Sequence, residues 1–258
     1  KWNYNLMLEE LSLNFVFQFM LVFARLGTAF SKFPAIGSHY IFARGKLALA
    51  LTVSFVMMPI LTPYLPQYTD NFALNTSYLA IEILIGLIIS IAANIYFLSL
   101  HFVGQILSMQ SGLGSAAFFD PQQKSQVAIF SNFMLLIAIV FIFTTNTHYL
   151  FIQAVADSYS KFPPGELINS GDISKFVSFV LNDSFILSFK IVSPFLVVGL
   201  AIMTGSGLLA RLMPNLQVFF VITPAQILIM FGTMYIVIQA IMNKIVVAIN
   251  QSLNISGF

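Results

Sequence analysis

Six long apolar segments constrain this chain more than any other feature: Leu11 to Phe30, Leu47 to Leu65, Tyr78 to Leu100, Val127 to Leu150, Ser184 to Ala210, and Leu216 to Met242. Each is about as long as the twenty residues a helix needs to cross a bilayer core, and too long for the strands of an ordinary sheet. The expected fold class is therefore all-α, a polytopic membrane protein. Charged residues are 8% and apolar residues 59% of the 258 positions, against about a quarter charged in a soluble domain, so a water-facing surface cannot be built around these segments. The chain has no Cys, which removes disulfides, thiolate metal sites and cysteine nucleophiles. Its formal charge of +2 is thinly spread and forms no patch for nucleic acid. The sequence opens at Lys1, so a short preceding piece is expected. Leu11 to Ala24 lacks a small-x-small cleavage site and runs into Arg25, the pattern of a polytopic rather than a secreted protein.

The connections are Pro34 to Gly45, Pro66 to Ser77, Gly104 to Gln126, Asp157 to Lys175, and the short turn Arg211 to Asn215. The first carries Lys32, Arg44 and Lys46 and the fifth Arg211, which places both in the cytoplasm by the positive-inside rule. Polar groups also fall inside the segments: Glu82 and Asn94 in the third, Thr144, Thr145 and Asn146 in the fourth, Lys190 in the fifth. An ionised group at mid-bilayer costs about 2.5–3.5 kcal/mol, so Glu82 and Lys190 either face protein or water in an assembly or lie near helix ends and snorkel. Pro59, Pro63, Pro194 and Pro224 are expected to bend the apolar runs or fold them back as hairpins.

From Gly104 small residues recur at every fourth position, as Gly104, Ser108, Gly112 and Ala116, with Ser111 and Ser115 beside them. On a helix these form one smooth face, against which a second backbone can approach closely in lipid. Phe118-Phe119-Asp120-Pro121 then ends the helix, since Pro disfavours helix at the residue before it, and a polar run from Gln122 to Gln126 follows. A small-residue helix opening into such a loop suits a constriction that closes a narrow bore and moves aside. It also suits an exposed turn after a tightly packed helix, the reading that composition alone favours.

No enzyme constellation is present. His39, His101 and His148 are scattered, without metalloprotease spacing or a phosphate loop, so no catalytic residue, metal or cofactor is expected. His148 and Asp157 read as interfacial polar groups, and Gly205-Ser206-Gly207 as a site of packing against a neighbouring helix. A small-solute or ion transporter is the rival, with Glu82 and Lys190 as its candidate midplane pair, although no inverted repeat is visible. A purely structural scaffold is the third option.

Five stretches, in order, resemble the flagellar export-gate family typified by FliR and its injectisome counterparts. They are Arg25 with Pro34 and Ile41 to Leu49; Gln110-Ser111-Gly112-Leu113 through Asp120-Pro121-Gln122; Asn146-Thr147-His148-Tyr149-Leu150; Ala156-Asp157-Ser158 with Phe162-Pro163; and Leu212 to Phe219 with Pro224. The chain departs from the family pattern at Phe42, Gln105 and Thr147, where Pro, Glu and Gly are usual; Thr147 argues against a tight turn at that residue, because Thr is strained at positive φ. The resemblance implies bent helical hairpins, a FliP-like part over residues 1–175 followed by a FliQ-like hairpin over 176–258. It implies assembly with FliP-type and FliQ-type subunits and other export-apparatus membrane proteins, among lipids of the bacterial inner membrane, in a flagellar basal body or injectisome base. The channel so formed would conduct unfolded secreted proteins. The central Asp-Pro and Met-Pro signatures sit closer to the flagellar branch. The segment Ser115 to Val127 would act as plug, with Gln110, Gly112, Gly114, Ser115, Phe118, Phe119, Asp120 and Pro121 as its gating residues.

Overall fold

A computed structural model describes residues 2–33, 42–112, 129–165, 170–213 and 218–253. Every regular element among them is helical: α1 (Trp2–Lys32), α2 (Ala43–Leu61) with a 3-10 turn (Thr62–Tyr64), α3 (Phe72–Gln110), α4 (Ile129–Thr144), α5 (Thr147–Lys161), α6 (Ser170–Leu212) and α7 (Val218–Leu253). Five of these are long and apolar enough to cross a membrane, and the bent pair α4 and α5 together makes a sixth candidate. The all-α, polytopic membrane class follows. Of the apolar window in α7, 11% is buried within the chain, so most of that helix needs lipid or other chains to cover it.

Six straight, bilayer-length spans do not describe the chain. α3, α6 and α7 have 39, 43 and 36 residues, about 58, 64 and 54 Å of helix against a hydrocarbon core of about 30 Å. Hydropathy marked the middle of α3, the C-terminal part of α6 and the N-terminal part of α7. The helices also run on through polar residues, and Asn71, immediately before α3, accepts from the Ala73 amide at 3.1 Å, an ordinary N-cap bond. The polar stretch from Asp157, expected as a connection, is helical through Lys161 and again from Ser170.

The prolines also act differently from expectation. Pro63 does sit in the 3-10 turn that ends α2, but Pro194 and Pro224 lie inside α6 and α7, which continue through them. A proline at 194 leaves the Lys190 carbonyl without its helical donor; the Ser193 hydroxyl donates to that carbonyl at 3.0 Å.

The sharp bend falls instead inside the fourth apolar run, where α4 and α5 meet at 74°. Asn146 takes φ 58 and ψ 18 between them, a left-handed conformation that Asn tolerates better than other residues with a Cβ. Thr147, one residue later, is ordinary helix. A tight turn therefore exists where Thr147 argued against one, because the preceding Asn supplies the positive φ. Asn146→Val is expected to cost about 1–2 kcal/mol and Asn146→Gly almost nothing, measured as the shift in thermal unfolding of the detergent-purified chain. A Val variant as stable as the parent would contradict this assignment of the bend.

The helices contribute to two compact units, residues Lys1–Asn94, Asn146–Val180 and Ile249–Phe258 in the first and Ile95–Thr145 with Leu181–Ala248 in the second. In the first, α1 buries Leu21, Val22, Leu26, Ala29 and Phe30 at helical spacing. Phe33, just past the end of α1, packs against Phe151 of α5 with ring centroids 4.0 Å apart and the planes tilted by 30°. α2 buries Ala50, Ser54, Met58 and Leu61. In the second, Phe130 of α4 meets Phe231 of α7 at 4.7 Å, and the Tyr96 hydroxyl of α3 donates to Asp183 of α6 at 3.0 Å.

Candidate functional site

The apolar stripe of α1 that packs the first unit contains a charge. Arg25 is fully buried, and so is Glu82 on α3. Arg25 Nε donates to Glu82 Oε2 at 2.6 Å and Nη2 donates to Oε1 at 2.8 Å, the two-pronged geometry that a planar guanidinium forms with a carboxylate. Two further donors are taken by α5 and its end: Nη1 reaches the Ser158 hydroxyl at 3.0 Å and Nη2 the Phe162 carbonyl at 2.9 Å. The Tyr159 ring lies under the guanidinium, 3.8 Å from centroid to Cζ, adding a cation–π contact in a dry site. One side chain thus joins three helices.

The backbones meet just beside it. A Cβ at Gly86, one turn along α3 from Glu82, would overlap the Arg25 carbonyl and the Thr28 hydroxyl, so only glycine lets α1 approach here. This cluster decides between the readings of Glu82, which faces protein. It neither snorkels nor pairs with Lys190, which is exposed on α6; its counter-charge comes from Arg25, 57 residues away. A usable signal was present, since Arg25 is the one charge in the first apolar segment and Glu82 the one charge in the third. Two lone, opposite charges in two apolar helices satisfy each other more cheaply than either does alone.

The second unit contains the described part of the small-residue stretch. A Cβ at Gly104 would stand 2.6 Å from the Ser131 amide nitrogen and 2.9 Å from its Cβ, so α3 and α4 touch backbone to backbone. Ser131 Oγ also lies against the His101 ring and donates to the His101 carbonyl at 3.2 Å. One turn on, the Ser108 hydroxyl accepts from the Phe130 amide at 3.4 Å. The helix stops at Gln110, so Gly112 does not share this helical face as its spacing implied. Gly112 has φ +76 and its amide donates to the Met109 carbonyl at 3.3 Å, the left-handed glycine that closes many helix C-termini. Gln110 is held from two sides: Gln226 of α7 donates to its carbonyl, and its Oε1 fills the space over Gly199 of α6. Gly114, Ser115, Ala116, Phe118, Phe119, Asp120 and Pro121 lie outside the described residues.

Among the described residues no group of His, Asp and Glu is placed to hold a metal ion. Gly205 and Gly207, expected to pack on a neighbouring helix, have no atom within 4 Å of an added Cβ. The chemistry on offer is packing and charge pairing within long membrane helices. That character agrees with descent: the chain belongs to the bacterial export proteins, family 1, whose family model matches residues 16–252. Among its relatives, the flagellar biosynthetic protein FliR of Caulobacter vibrioides is 29% identical over 209 residues, covering 81% of this chain and 83% of that one. FliR of Escherichia coli is 28% identical, covering 78% of this chain and 74% of its own, and FliR of Bacillus subtilis is 24% identical with 83% of each covered.

Proposed function

We propose that this chain is an inner-membrane subunit of the flagellar export apparatus, and that with FliP-type and FliQ-type subunits it forms the channel that conducts unfolded proteins across the inner membrane. The observation that carries this reading is the family match across residues 16–252, reinforced by relatives named as flagellar biosynthetic proteins. Helices twice the bilayer thickness, with apolar sides left uncovered by the described residues, suit a subunit built into a larger helical assembly. The FliP-like part is assigned to residues 1–175 and the FliQ-like hairpin to 176–258. The protein acts by conduction and closure, not catalysis.

Closure is assigned to the segment Ser115 to Val127. Its support is the way α3 ends: Gln110 is fixed by Gln226 and Gly199, and Gly112 turns the chain out of the helix at once. A helix end held from two sides a few residues before that segment is what a plug needs at its root. Deleting residues 115–127 in the assembled apparatus is expected to let small ions through the membrane, read as conductance or as sensitivity of growth to salt. An unchanged ion barrier with normal assembly would remove the plug assignment. The transporter alternative loses its charge pair, because the Glu82 carboxylate is already taken up by Arg25.

A further inference from the structure

Inside its apolar stretch α6 carries a cation, Lys190, for which the described residues provide no counter-charge. Between Asp183 and Arg211 the only charged residue is Lys190, and it is exposed near the middle of a helix of 43 residues. The ion pairs among the described residues are Arg25 with Glu82 and Lys175 with Asp172. The nearest carboxylate on the same helix, Asp183, is two turns away and accepts from the Tyr96 hydroxyl. Lys190 lies within the long apolar stretch of α6, a candidate membrane span. An ammonium among apolar side chains is costly unless a counter-charge or water meets it.

The surface around Lys190 has the character of a helix seat. Ile186, Val197, Ala201, Thr204 and Leu208 project within about 40° of it at 3.6 residues per turn, and all are exposed. Beside Ala201 and Thr204 stands Gly205, over which the space is open, so a second backbone can come close. Lipid tails would match the apolar residues but offer the ammonium nothing, and lipid phosphates lie at the membrane surface.

We propose that this face of α6 seats a membrane-embedded helix of another subunit of the export apparatus, and that the helix carries an Asp or Glu opposite Lys190. The inference rests on the export reading above and adds to it a surface, a partner chemistry and a register. Complementary charge at one depth fixes how far along α6 the partner sits, where apolar contact alone would allow sliding.

Two measurements test it on the chain expressed together with the other export subunits. In the first, Lys190→Arg, Lys190→Gln and Lys190→Glu variants are compared by the amount of chain retained in the detergent-extracted complex. Arg is expected to retain the parental level, Gln to lose about tenfold or more, and Glu to be excluded, with an Asp or Glu changed to Lys in the partner helix restoring it. In the second, Lys190 is left intact. Val197→Cys gives the chain its sole cysteine, and a benzophenone maleimide attached to that thiol is photolysed in the membrane. Attachment to a partner segment bearing a carboxylate within a turn or two supports the proposal. Attachment only to lipid, free labelling of the introduced thiol in the assembled complex by a charged water-soluble maleimide, or full retention of Lys190→Glu would each overturn it. If the chain co-purifies with the other subunits and any of these occurs, the docking face is wrong and the export reading stands. A chain found in the membrane with no other subunit attached would sink both.

Discussion

Glu82→Leu is expected to destabilise the chain by about 3–5 kcal/mol, a large part of the roughly 5–15 kcal/mol that holds a typical domain together. The change leaves the Arg25 guanidinium fully buried with two of its hydrogen bonds gone, and a guanidinium cannot shed its proton to escape the cost. Arg25→Leu should be comparably harmful, because it strands the Glu82 carboxylate and also deprives the Phe162 carbonyl and Ser158 hydroxyl at the end of α5 of a partner. The double variant carrying Leu at both positions removes charge and counter-charge together and should recover at least half of the loss. Thermal unfolding of the purified chain, or its steady-state amount in membranes, reads all three. A double variant no better than the worse single one would mean that the pair is not the unit described here.

Gly104→Val is expected to be the most damaging single change in the second unit. Gly104 Cα faces the backbone of Ser131, with Ser131 N only 2.6 Å from where a Cβ would stand. A main chain cannot rotate out of the way as a side chain can. α3 and α4 must therefore separate, which disturbs the Ser108 to Phe130 bond and the Phe130–Phe231 stack that follow along the same contact. The cost of such overpacking is about 1–3 kcal/mol or more, and a β-branched residue gains little helix propensity over Gly to offset it. Gly104→Ala should show a smaller loss in the same direction. The check is the thermal midpoint of each variant beside Gly205→Ala, where space is open and stability should hold or rise slightly. Equal effects at the two glycines would contradict the backbone contact.

The order of helices could be read from the sequence because the apolar runs are long and charges are few. Their lengths could not, since a hydropathy reading ends a helix at its first polar cluster, and in α3 residues such as His101, Ser108 and Gln110 remain helical by bonding to α4 and α7. The bend at Asn146 was hidden for a similar reason. Attention to Pro and Gly as breakers passed over an Asn that takes a left-handed conformation by itself, while Pro194 was absorbed by a neighbouring serine. The close approach at Gly104 was legible from its small-residue spacing. Pairing of Arg25 with Glu82 was legible only in part: each is the lone charge of its apolar segment, but nothing local in the chain chooses Arg25 over Lys190 as the counter-charge of Glu82.

Membership of a multi-subunit export gate stands or falls on the composition of the complex. Co-expression with the FliP-type and FliQ-type subunits of the same organism, gentle detergent extraction and native mass spectrometry should return one complex holding this chain together with both siblings. A chain that emerges alone, or only with copies of itself, while the siblings assemble without it would contradict that membership.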